Sequence, residues 1–303
     1  LALESRGAGH ELNLETGIFE QLPNQERTLG HGGEVFMNSA ADSAQLHRHR
    51  RASALPGFRA APTHDILCNV NVVRDTDWQL DLDVDDVLRG QGADPQEMRR
   101  RNQRLVERAQ AALVEAAPLL HPVVLSVTHD IAAHADDHIV LSSGARFTCG
   151  PWAAARLAPA TRLVTAVCTV GESLEIEVNR RFPSDPVSGL ALDGVGSAAI
   201  DRLAARACRR FQRQARTVGL RGAIHCWPGS TQWPTEAAQP EIFALVDPDE
   251  VFTDTVRLLP SFVMRPLKSL TLVLGLTSRP VPAEHECDIC AVRATCRHRR
   301  AEA

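Results

Sequence analysis

The sequence predicts an α+β fold: an antiparallel or mixed sheet with flanking helices. Segments of helical periodicity and segments rich in β-branched residues are interleaved without the alternation of a doubly wound sheet, and no repeat of fixed period runs through the chain. At 303 residues, 44% hydrophobic and 23% charged, the chain can build one substantial core and at most two modest domains.

Residues 1–79 are expected to form a flexible N-terminal segment, because they are polar, rich in Gly, His, Arg and Ser, and lack apolar periodicity. The His47-Arg48-His49-Arg50-Arg51 tract within them suits a solvated tail. The domain proper is expected over residues 80–280. Asp83 to Arg89 predicts a short helix stopped by Gly90 and Gly92. Asp94-Pro95 supplies a cap and a first-turn proline for one longer helix running to Pro118. Val123 to Val127, His138 to Leu141 and the closed apolar run Arg162 to Thr169 predict strands, and Glu172 to Arg181 a helix. The strongest helix is placed after Asp193-Gly194. Ile200, Leu203, Ala207 and Phe211 form its apolar stripe, and Arg202, Arg206, Arg209, Arg213 and Arg216 a second stripe that suits a solvated face. The small residues opening that helix, Gly194 to Ala199, would admit another backbone closely. Ile242 to Val246 and Ser269 to Leu276 are the last strand candidates.

A formal net charge of −4 argues against general affinity for nucleic acid or anionic membrane. No stretch approaches the roughly eighteen uninterrupted apolar residues of a membrane span, so a cytoplasmic protein is expected. Eight cysteines in a chain this long do not imply a disulfide framework, which belongs to short secreted chains. No serine-histidine-acid order, phosphate-binding glycine loop or paired-carboxylate arrangement stands out, so an independent hydrolase or nucleotide enzyme is not expected.

Five blocks carry a resemblance: Thr165 to Gly171, Leu190 to Ala199, Pro228-Gly229 with Trp233-Pro234, Phe243 to Asp247, and Pro266 to Leu270 with Gly275-Leu276. In this order they resemble stand-alone relatives of the activation domain of vitamin B12-dependent methionine synthase, over roughly residues 81–299. The resemblance implies that fold and a role in reductive activation and remethylation of a corrinoid. S-adenosylmethionine would be the methyl donor, and an electron donor such as flavodoxin or ferredoxin the reductant. The cobalamin would come with the partner, a corrinoid-binding protein or methionine synthase, since no Asp-x-His-x-x-Gly motif is present. It also implies a binding site at His225, Pro228, Gly229 and Ser230. Here the sequence departs from the family pattern: His225 stands where the family has arginine and Ser230 where it has tyrosine, and the chain contains no tyrosine. A neutral histidine cannot hold a carboxylate as a bidentate arginine does. Read without a ligand, Pro228-Gly229 is a turn, and Trp227 and Trp233 are packing residues.

Residues 281–303 are expected to form a metal-binding segment. Cys287, Cys290 and Cys296 are three thiols in ten residues, spaced to grip one metal or cluster from successive turns. The spacing resembles that of [4Fe-4S] proteins whose fourth cysteine comes from upstream. Cys226 is the preferred fourth ligand, ahead of Cys149 and Cys68, while Cys168 and Cys208 are expected as buried core thiols. Zinc is the alternative, with His298 or His285 completing a Cys₃His set. The competing functions are a binding module with structural zinc and an iron-sulfur electron carrier for another partner.

Overall fold

The computed structural model of the chain describes residues 72–229 and 232–281. Its elements begin with β1 (Val73–Asp75), which lies in the segment expected to be flexible. α1 (Val84–Gly90) follows, started by a capping box in which Asp83 accepts from the Asp86 amide at 2.9 Å and Asp86 returns the bond at 3.1 Å. The single helix expected from Asp94 to Pro118 is two, α2 (Pro95–Arg101) and α3 (Gln103–Ala116). The break falls at Asn102, which leaves helical dihedrals and caps α3 through a bond from the Leu105 amide at 3.3 Å.

Next come β2 (Val123–His134), β3 (His138–Leu141), β4 (Arg146–Thr148), α4 (Gly150–Leu157), β5 (Arg162–Thr169) and α5 (Ser173–Arg181). α6 (Pro186–Thr217) starts two turns before the Asp193-Gly194 expected to open it, because Asp185 accepts from the Ser188 amide and Pro186 fits the first turn. Then follow β6 (Gly222–Cys226), α7 (Thr235–Val246), β7 (Arg257–Leu258), β8 (Met264–Arg265) and β9 (Ser269–Thr277). Ile242 to Val246, expected as a strand, is the last turn of α7: Ala238, Gln239, Ile242, Leu245 and Val246 are its buried residues, at helical spacing.

The main sheet runs β4-β3-β2-β5-β9-β6, with β1 added to β2, and every pairing is antiparallel. The α+β class is therefore as the sequence predicts. In β5 every residue from Leu163 to Thr169 is buried, so both faces of the sheet must be covered. Alternation sorts the side chains. Leu163 and Val167 join Ile224, Cys226 and Val273 under α4 and α7, while Val164, Ala166 and Cys168 join Leu272, Leu274 and Leu276 under Leu203, Ala207 and Phe211 of α6. α1, α3 and α5 pack on the first half of α6 as a further layer. Among the described residues no helix is long and apolar enough to cross a membrane.

α6 meets α1 through backbone. A Cβ on Gly90 would stand 2.3 Å from the Gly194 carbonyl oxygen, and one on Gly194 would stand 2.5 Å from Gln91 Cγ. A neighbouring face of α6 clamps α1 and the chain before it. Arg202, Arg206 and Arg210, at i, i+4 and i+8, pair with Asp86, Asp81 and Asp75, and the Arg210 guanidinium lies 3.7 Å above the Trp78 ring. Two members of the arginine stripe expected on a solvated face are thus structural. On β9's entry, Lys268 reaches Asp193 at 2.8 Å and Ser197 Oγ at 2.9 Å, its stem lying over Gly196.

Gly90→Ala should destabilise the domain by about 1–3 kcal/mol, because only backbone can yield at that contact. Urea unfolding would check this, and an unchanged midpoint would show that α1 and α6 can separate at no cost.

Candidate functional site

β6 places the predicted residues. Its alternation turns Ile224 and Cys226 toward α4 and α7, and Ala223 and His225 toward α6. Beyond the strand, Trp227 stacks on His225, ring centroids 5.2 Å apart at 13°. Pro228 and Gly229 then turn the chain away; Gly229 has φ +93°, a conformation that favours glycine, and donates to the Trp233 carbonyl at 2.9 Å. Ser230 lies outside the described residues. Trp233 is 2% exposed and packs edge-on against Phe147 at 6.1 Å. The two tryptophans thus part: Trp233 is core, as expected of a packing residue, and Trp227 is not.

His225 and Trp227 line a groove of about 480 Å³ between α6 and the sheet edge. Its wall on α6 is formed by Asp201, Ala205, Cys208, Arg209 and Gln212, and its floor by Leu270 and Leu272 of β9. His225 and Gln212 also border a smaller chamber of about 220 Å³, which Arg216, Arg221 and Val281 help to line. The Gln212 amide donates to His225 Nε2 at 3.0 Å, and the His225 carbonyl accepts from Arg156 Nε at 2.9 Å. Burial first, and the Arg156 guanidinium second, hold the His225 imidazole below its ordinary range, so it is neutral near pH 7. Asp201 shows the opposite effect. Although Asp201 is exposed at the groove's margin, partial desolvation by the packed helix and sheet raises its carboxyl above the ordinary range, and the Lys268 ammonium opposes that rise.

The groove joins a cation, an acid, an aromatic pair and an apolar floor, which suits a small amphipathic ligand carrying charges of both signs. Sequence reasoning found His225 and missed β6, Asp201 and Gln212. A signal was present, for Asp201, Ala205, Cys208 and Gln212 recur at i, i+4, i+7 and i+11 of one helix. Pro228 and Gly229 belong to the turn that follows β6 and are not among the residues lining the groove.

The thiols are distributed otherwise. Cys287, Cys290 and Cys296 lie outside the described residues. Cys226 is 1% exposed in the core beneath α4 and α7, on the face of β6 opposite His225. Cys149 is as buried, its thiol pushed up to about 12 by desolvation. Cys168 and Cys208 are core thiols, as expected, although Cys208 also borders the groove. Among the described residues no group of three or more His, Cys, Asp or Glu side chains is placed to hold a metal ion.

Acid should destabilise the fold through its buried histidines. His225 and His129, the latter desolvated in the core, favour the neutral ring when folded. Below about pH 6.5 the unfolded chain therefore binds more protons than the folded one, and stability falls with pH until the folded histidines titrate too. The urea midpoint should be lower at about pH 5.5 than at about pH 7.5, with a smaller difference in His225→Gln. An equal difference in the variant would remove His225 from this account.

No protein-family profile and no curated protein matches the chain. Among solved structures, the crystal structure of the MetH reactivation domain bound to AdoHcy is similar at a TM-score of 0.53 and 14% sequence identity, covering 71% of this chain and 81% of that one. This chain therefore shares the fold of that reactivation domain.

Proposed function

We propose that the chain is an accessory domain that keeps a corrinoid protein active, and that the groove between α6 and β6 receives S-adenosylmethionine as methyl donor. The observation that carries this reading is the placement of His225, the residue singled out from sequence, in a groove of suitable size within a fold whose relative holds AdoHcy. Trp227 offers a half-buried ring to the adenosine portion, Leu270 and Leu272 an apolar floor, and Asp201 a carboxylate for the sulfonium. The corrinoid would come from the partner, a corrinoid-binding protein or methionine synthase, and the domain's part would be to hold the donor methyl in position.

The C-terminal thiols Cys287, Cys290 and Cys296 are proposed to hold a [4Fe-4S] cluster, which when bound supplies single electrons taken from a donor such as flavodoxin or ferredoxin. Their number and spacing support this, as does their connection. Val281 borders the smaller chamber, and the six residues from it to Cys287 span at most about 20 Å. Cys226 is the proposed fourth ligand, and Cys226→Ala should lose the cluster as Cys290→Ala does. The cytoplasm is the compartment that suits thiol ligands of this kind.

Two measurements test the proposal. Protein purified without oxygen should contain roughly four irons per chain and absorb broadly near about 400 nm, both lost in Cys290→Ala. One zinc and no colour would give the block a structural role and remove electron transfer. S-adenosylmethionine should quench tryptophan fluorescence saturably, and Trp227→Leu should weaken its binding about tenfold or more. Absence of any binding to wild type would sink the donor-site reading.

A further inference from the structure

The ligand's carboxylate needs a cation, and His225 does not provide one. It is engaged by Gln212, stacked on Trp227 and uncharged near neutral pH. The wall opposite supplies the charge. Arg209 lies three residues before Gln212, so both face the same side of α6, and among the described residues it is the one cationic side chain lining the larger groove. Its neighbours Arg206 and Arg210 are committed to Asp81 and Asp75, whereas Arg209 is exposed and makes no ion pair with a described carboxylate. Asp201, the acid of the same groove, lies eight residues earlier, about 12 Å along the helix axis. Arg209 toward one end and Asp201 toward the other set a positive and a negative pole along one wall.

We infer that Arg209 is the specificity-determining residue for the carboxylate of the ligand, so that this charge is recognised from helix α6 and not from the sheet edge. The inference rests on the donor-site reading above. A guanidinium at this position can grip the carboxylate through two parallel N–H donors, and the groove's own acid, Asp201, stands toward its other end. Asp201 offers the opposite charge, so the two poles favour the orientation that sets the sulfonium toward Asp201 and the carboxylate toward Arg209.

The test compares S-adenosylmethionine with its decarboxylated counterpart on the full chain, by equilibrium binding followed through tryptophan fluorescence. Wild type should prefer the carboxylate-bearing ligand by about ten- to a hundredfold. Arg209→Gln should bring that ratio to about one while leaving the decarboxylated ligand bound as before, and Arg209→Lys should restore part of it. Arg213→Gln removes the same charge from the same helix outside the groove and should keep the wild-type ratio. A ratio unchanged in Arg209→Gln overturns the assignment while the donor site stands, and so does a ratio of one in wild type. Binding of neither ligand to wild type overturns both.

Discussion

A sheet with two buried faces has to end, and the site lies where this one does. β5 is covered above and below, β9 nearly so, and both receive strand partners on each side. β6 has only β9 as a partner among the described residues. Its outward-facing side chains therefore have a layer of helix on one side and an open margin on the other. Exposed edges invite adventitious pairing unless something occupies or blocks them. Here the run through Arg279 to Val281 lies against the start of β6, so closely that a Cβ on Gly222 would meet the Arg279 oxygen at 2.2 Å. The far end, with His225 and Trp227, is left facing the groove.

α6 makes that arrangement possible because it serves three surfaces at once. At 32 residues it is about 48 Å long, far more than the sheet needs to cover it. Its first half is lined with small residues and meets α1 at backbone distance; its second half presents Leu203, Ala207 and Phe211 to the sheet. The arginines on one flank tie down α1 and the chain that precedes it, and the flank turned toward β6 forms the groove wall. A rotation of the helix by one residue, about 100°, would misplace all three sets, so the clamp and the glycine contact also fix the groove's geometry.

Much of this was legible in the chain, and the failures have physical causes. β5 and β9 declared themselves because a strand buried on both faces is a continuous apolar run. The last turn of α7 was taken for a strand for the same reason: five apolar residues show no period, and Pro240 upstream obscured the helix that contains them. β6 escaped because Gly-Ala-Ile-His-Cys has little β-branched content and gains its strand form from pairing with β9. The Pro228-Gly229 turn after it still drew attention to His225, by position and not by residue type, since the resemblance leads one to expect an arginine there. Its counterpart on α6 did not, because Asp201 and Gln212 are ordinary residues of a polar flank until β6 is laid beside them.

The contact of Lys268 with Asp193 and Ser197 has one further consequence. It is the only lysine among the 33 basic residues of the sequence, all the others being arginine. Every side-chain amine in these 303 residues is thus one amine, held across the joint between α6 and β9 and over the glycine that lets the two approach. Lysine-directed proteases meet a single side chain, which its contacts with Asp193 and Ser197 keep partly covered until that joint opens. The chain carries a built-in reporter of local unfolding at the helix that shapes its groove.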